Sequence, residues 1–211
     1  MANQVIKGFR AVGTISGAPL PTPMVREVAN NYGTAIGIGD VLAAVSDGTV
    51  AVAATSDNGK LIGVATGFSY VGGVPSHRIY SNYLPANTTF SPTAVGSVNA
   101  SLCEFIPCTP DVIFAVQSAA ATMTTLANQI GLIQENCDLS TGTADSVTGW
   151  SGELLDVSTH ATATFNFRII GIRGYSLEGL QLGQNDPTVT NFEYLVVCNE
   201  SVWPIGTATG V

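Results

Sequence analysis

Between Gly39 and Phe68 the chain reads GDVLAAVSDGTVAVAATSDNGKLIGVATGF. Three short apolar runs, 41–45, 50–54 and 61–65, are separated by Asp47-Gly48 and Asp57-Asn58-Gly59. Short runs rich in β-branched residues favour strands over helices. Asp-Gly and Asn-Gly supply the positive φ that tight hairpin turns need. The stretch therefore predicts an up-and-down meander of three strands. Small or apolar residues stand at consecutive positions, as in sheets packed on both faces. The charges here, Asp40, Asp47, Asp57 and Lys60, sit at or beside the turns, so the segment reads as scaffold.

The same pattern recurs downstream. VIFAVQ at 112–117 and FEYLVVCNE at 192–200 read as strands. In ATATFNFRIIGI, 161–172, Phe165, Phe167 and Ile169 alternate with Thr164, Asn166 and Arg168, the mark of a half-buried strand. TTLANQIGL, 124–132, allows one helical turn with Thr124 or Thr125 as N-cap. No long amphipathic helix and no strand–helix alternation occurs, which excludes an α/β enzyme architecture. Loops fall at Gly72-Gly73 with Pro75, at 135–156, and around Gly174, Gly179 and Gly183. The expected fold is all-β: a small barrel or sandwich of short antiparallel strands.

Residues 1–31 differ from the rest. Val5, Ile6, Phe9, Val12, Ile15 and Leu20 are scattered, and Pro19, Pro21 and Pro23 forbid a helix. This segment is either an extended arm that reaches a neighbour or the first strands of the domain. As an arm, its Phe9, Val12, Ile15 and Leu20 would fill pockets on a partner while the main chain adds to a sheet edge. The β domain then spans 32–200, with a break between two lobes expected near 119–160, and 201–211 form a tail.

Charged residues make up 10% of the 211-residue chain, where about 25% is usual. With 45% hydrophobic residues the chain is not of the disordered type. Such a surface is either hydroxyl-rich and neutral or covered by partner subunits, since interface cores are depleted in charge. The net charge of −8 argues against nucleic acid and against an anionic membrane as partners. The start, MANQVIKGFRAVG, lacks the apolar core of a signal peptide, and no apolar run reaches membrane-spanning length. A cytoplasmic origin is expected.

Site chemistry is sparse. Cys103, Cys108, Cys137 and Cys198 lack zinc-type spacing and lie far in sequence from His77 and His160, so free buried thiols are expected. GIGD at 37–40 has two glycines of a dinucleotide fingerprint but not the third. Gly59-Lys60 lacks the rest of a phosphate loop, and GWSGE misses a nucleophile elbow by spacing. No catalytic, cofactor or metal residue is assigned and no cofactor is expected. The acids of the 135–156 loop, Glu135, Asp138, Asp145, Glu153 and Asp156, read as solvated rather than as a calcium site. Arg168 and Arg173 are expected to pair with acids. Tyr70, Tyr80 and Tyr83 form either a strand-end core or an interface patch. Trp203 either docks on its own domain or anchors on a partner.

The order of features is more distinctive than any motif. GFRAV, YGTAIGIGDVL, DGTVAVA, KLIGVATGFSY, YSNYLPANTT and VIFAVQ are followed by ANQIGLIQENCDL, STGTADSVTGWSGELLDVST and FRIIGI. This succession, over about 8–200, resembles small virion structural proteins of tailed bacteriophages, in particular capsid decoration (cement) proteins. Its glycine-bounded meander is more distantly similar to the β-tulip of lambda-like head-decoration proteins. The resemblance implies a non-enzymatic homotrimer on the outer head surface, made in the host bacterial cytoplasm, with the major capsid protein as partner. A different virion part, such as a head fibre, tail or adhesion protein that binds a glycan or receptor, is the other reading.

Overall fold

The structure is a computed structural model and describes residues 6–55, 57, 59–72, 77–89, 98–119, 125–162, 165–173 and 192–203. Fourteen strands and one helical turn follow in order: β1 (Arg10–Thr14), β2 (Met24–Val28), β3 (Ile36–Gly37), β4 (Val41–Ala44), β5 (Val50–Val52), β6 (Leu61–Gly72), β7 (His77–Ser81), β8 (Tyr83–Leu84), β9 (Ser101–Pro107), β10 (Val112–Gln117), α1 (Leu126–Gly131), β11 (Asn136–Ser140), β12 (Leu154–Ala161), β13 (Phe167–Ile172) and β14 (Glu193–Cys198). The all-β expectation holds, with a closed barrel as its centre. No described helix is long and apolar enough to cross a membrane.

Five strands close the barrel in the order β4-β5-β2-β9-β6, with β6 returning to β4, and β7 extends it at one edge. The Asp47-Gly48 turn is built as its sequence demands. Gly48 takes φ 88°, and Asp47 Oδ1 accepts from both the backbone N–H and the hydroxyl of Thr49. Gly59 is also at positive φ, while Asn58 lies outside the described residues. The three-strand meander needs correction. The strand β6 does not pair with β5 but crosses to the other side of β4. Its free side leaves β5 to meet β2 in the barrel's parallel pairing, Val28 opposite Val50. Closure removes an edge that a flat meander would have exposed.

The twelve-residue β6 serves three neighbours, β4, β9 and β7, and a bulge between Ala65 and Gly67 bends it against β9. Inside the barrel Leu42, Val50, Ile62, Ala65, Phe68, Cys103 and Phe105 form one apolar cluster. Gly63 makes room for the ring of Phe105, which a Cβ there would strike.

The second sheet has the order β1-β10-β14-β13-β11-β12. A parallel bridge from Ser118 to Leu155 brings its later strands back toward β10. Phe114, Val116, Leu139, Leu155, Val157, Phe167, Ile169, Tyr194 and Val196 form its core. The alternate barrel residues Val41, Ala43, Leu61, Val64 and Ile106 belong to that same core. The strand β4 and the first part of β6, Leu61 to Ala65, are thus buried on both faces, which explains their unbroken apolar sequences.

Between β9 and β10, at 108–111, the chain passes from the barrel to the second sheet, to which β1 also belongs. The opening segment supplies a strand to each sheet: β1 pairs with β10 and β2 with β9. Thr125 caps α1 by accepting from the N–H of Asn128; Thr124 is outside the described residues. The strand β13 starts only at Phe167. Asn166, expected on an open face, is buried: its Oδ1 accepts from Leu139 N and its Nδ2 donates to Glu200. The loop tip at Gly73 and Pro75, the turn at 174–191 and the tail beyond Trp203 also lie outside the described residues.

Candidate interaction surface and acid junction

The predicted interface residues separate into buried and exposed groups. Phe9 is 1% exposed and stacks on Phe167 at 4.6 Å between ring centroids. Its N–H donates to Gly39 O. Trp203 donates its indole N–H to Ile62 O at 2.7 Å and packs on the barrel core. Both side chains are engaged by their own chain, the alternative that places Phe9 in the first strands and Trp203 on its own domain. Val12, Ile15 and Leu20 remain at the surface, with Ile15 60% exposed. Val12 lies in β1 and Ile15 and Leu20 follow it; the outer edge of β1 has no strand partner among the described residues. The turn after β1 is fastened by Asp111, whose carboxylate accepts from the N–H and hydroxyl of Ser16.

The tyrosine cluster also divides. In the β6–β7 register Tyr70 is opposite Ile79 and Tyr80 opposite Ser69, so the two rings project to opposite faces. Tyr70 packs against the barrel core, and Tyr83 is half-buried in β8. Tyr80 is 81% exposed. It borders a groove of about 710 Å³ on the outer face of β2, β9, β6 and β7, lined also by Val25, Arg78, Leu102 and Glu104. Arg78 is a brace here: its guanidinium donates to Ser69 Oγ, Val98 O and Ala100 O. Gly67 sits directly under Glu104 and keeps the groove floor open. Sequence reasoning missed Val25, Arg78, Leu102 and Glu104. The signal for Val25 and Leu102 was present as apolar residues on strands, but only pairing places them in one row.

The acids of 135–156 are not one solvated loop. Asp138 and Asp156 face each other across β11 and β12. Asp145 is exposed and folds its own turn, accepting from Val147 N and Thr148 Oγ1. Glu153 is 0% exposed, in the segment that leads into β12. Its Oε2 accepts from Val41 N at 2.7 Å. Asp40, 1% exposed, accepts from Gly37 N at 2.7 Å through Oδ2. Burial raises the Asp40 carboxyl to about 6 against the opposing hydrogen bonds of Ser151 and Gly37. Burial, then the charge of Asp40, raises Glu153 well above the usual range.

Glycines allow this close approach. A Cβ on Gly8 would collide with Ser151, one on Gly37 with Ala144, and one on Gly152 with Thr143. Ile38 bridges to Trp150, and Ser151 N donates to Ile38 O. The GIGD segment is therefore a junction where 37–40, leading into β4 of the barrel, meets 149–153, leading into β12 of the second sheet. Gly37, Gly39, Gly149 and Gly152 were the legible signal for it.

Arg173 meets Glu193 at 3.0 Å, and Arg10 pairs with the same carboxylate. Arg168 bonds the amide oxygen of Asn136 instead of an acid. All four cysteines are buried and unpaired, and no group of three or more His, Cys, Asp or Glu among the described residues is placed to hold a metal ion. No family model, curated protein or solved structure matches the chain.

Proposed function

We propose that this chain is a non-enzymatic decoration (cement) protein of a tailed-phage head, bound to the outer shell as a homotrimer and bridging neighbouring copies of the major capsid protein. The observation that carries the reading is the β1 border: Val12, Ile15 and Leu20 stand exposed in or after a strand whose outer edge is unpaired among the described residues. An exposed edge accepts another backbone by strand addition, and apolar side chains beside it supply pockets or plugs. The feature order across 8–200 adds the resemblance to decoration proteins. Low charge suits a surface that other subunits cover. A trimer that engages equivalent sites gains avidity even when each contact is weak, and preferential binding to the mature shell stabilises that shell by linkage.

Cryo-electron microscopy of the native particle tests the proposal. Density for this chain over the head surface, lost with Val12→Lys and Ile15→Lys, supports it. Density at the tail or on a fibre rejects it.

The groove favours a second reading, a glycan- or receptor-binding virion protein. Tyr80 offers an open ring beside Ser81, Asn82 and Glu104, and sugar rings stack on such surfaces while their hydroxyls bond polar neighbours. Tyr80→Ala would then reduce adsorption to cells and leave head density intact.

A further inference from the structure

Asp40 and Glu153 are acids without a base. Among the described residues the ion pairs formed are those of Glu193 with Arg10 and Arg173. Lys7, the chain neighbour of Gly8, lies over the ring of Trp150, 5.9 Å from its centroid. Each carboxyl spends one oxygen on a backbone N–H, Gly37 for Asp40 and Val41 for Glu153. The other oxygens, Asp40 Oδ1 and Glu153 Oε1, are buried with no hydrogen-bond partner. Two ionised carboxylates in this position would leave two orphan acceptors and two adjacent negative charges out of water, the costliest arrangement available. A proton removes one charge and turns an orphan acceptor into a donor.

The other ionisable groups around the pair are thiols from neighbouring segments. Cys103 of β9 feels the charge of Asp40, and Cys108, after β9, feels that of Glu153. Cys198 of β14 hydrogen-bonds Cys108. All three are buried, and a thiol is neutral or anionic, so none supplies a positive charge. Ser151 contributes a hydroxyl toward Asp40.

We propose that Asp40 and Glu153 form a proton-holding joint between the barrel and the second sheet: the pair retains at least one proton in the folded protein, and its loss loosens the contact of 37–41 with 149–153. The site takes up hydrogen ions as its ligand. Acidic conditions fasten the two halves, and alkaline conditions weaken them.

The direction follows from linkage. An acid whose folded pKa is raised stabilises fully below its unfolded pKa, and that stabilisation is lost as pH rises through the folded value. For Asp40 the window runs from about 4 to about 6; Glu153 extends it upward. Asp138 and Glu200 are also raised, by partial burial, and act in the same direction. Asp47, Asp111 and Asp145 are lowered by local hydrogen bonds and act below that window, in the opposite sense.

The test is urea unfolding of the full chain across this pH range, for wild type, Asp40→Asn, Glu153→Gln and the double variant. The wild-type unfolding constant should rise with pH, approaching about tenfold per unit for each proton released. The double variant should lose most of that slope, leaving the part owed to Asp138 and Glu200. An equal slope in wild type and double variant overturns the proposal. If the variants do not fold, carbon-13 titration of the wild-type carboxyls decides. Resonances assigned to Asp40 and Glu153, of which at least one still reports a protonated or shared-proton carboxyl at about pH 5.5, above the ordinary range, support it. Complete ionisation of both by that pH overturns it.

Discussion

Gly63 shows how much a single missing methyl group decides in this barrel. A Cβ there would strike both the ring of Phe105 and the carbonyl of Ile106, so both must give way. Gly63→Ala should destabilise by about 1–3 kcal/mol, the usual cost of overpacking, seen as a lower urea midpoint. Gly67, in the same strand, meets nothing nearer than Glu104 Oε2 at 3.7 Å. Gly67→Ala should therefore stay within about 1 kcal/mol of wild type, and a large loss there would contradict the groove geometry. The thiols follow from burial as well. Removal from water raises Cys103 and takes Cys137 to about 12, so thiolate is scarce at neutral pH. Intact-mass analysis should find four labels after denaturing alkylation without reductant and none after brief native treatment. Fewer than four under denaturing conditions would reveal a disulfide or a bound metal.

At the level of elements, the clearest sequence signals were local. VIFAVQ is β10, residue for residue, because its apolar run is bounded by Asp111 and the polar Gln117-Ser118. Thr125 caps α1 through a bond spanning three residues. Pairing was less legible. Asp-Gly announces the β4–β5 hairpin, but nothing local directs β6 past β5 or brings β2 beside it. The start of β13 was misjudged because Asn166 reads as polar and outward, while its amide is spent on Leu139 and Glu200 across the fold. The junction was half legible, with its glycines visible and its two acids mistaken for solvated turn residues. The opening segment is the sharpest case: scattered apolar residues describe a clamp and a pair of strands equally well. With Phe9 buried, Phe9→Ala should cost about 3–5 kcal/mol by chemical denaturation. Deletion of residues 1–23 should abolish cooperative unfolding, since it removes Phe9 and β1 together. A truncated chain that unfolds with the wild-type midpoint would restore the arm as an independent clamp.

For the molecule as a whole, the two sheets share one core yet present different outer surfaces. The second sheet ends in the β1 border with Val12 and Ile15, and the barrel carries the Tyr80 groove. A homotrimer is expected from light scattering of the purified protein, because closed symmetry is the rule for homo-oligomers and the resemblance points to three-fold positions of a head lattice. A monomer in solution, together with particle density lacking three-fold symmetry, would remove that expectation. Lysine at Val12 and Ile15 should weaken the assembly without lowering the monomer's unfolding midpoint, as both residues already face water. The whole-molecule arrangement was the least legible level. Sheet membership depends on which distant strands meet, and both sheets draw on the same alphabet of Val, Ala, Ile and Gly.

The pairing of β1 with β10 also sets a timetable. Arg10 leaves the ribosome well before its partner Ala115 and cannot settle until that residue has been made, and β10 is itself flanked by β14, made later still. In the interval the barrel strands from Met24 to Pro107 can assemble between the two. Folding dominated by such distant pairings is slow, and the unseated first strand is meanwhile available to a neighbouring nascent copy. In a cell making many copies at once, the same border that completes the fold is the place where two chains can trade strands.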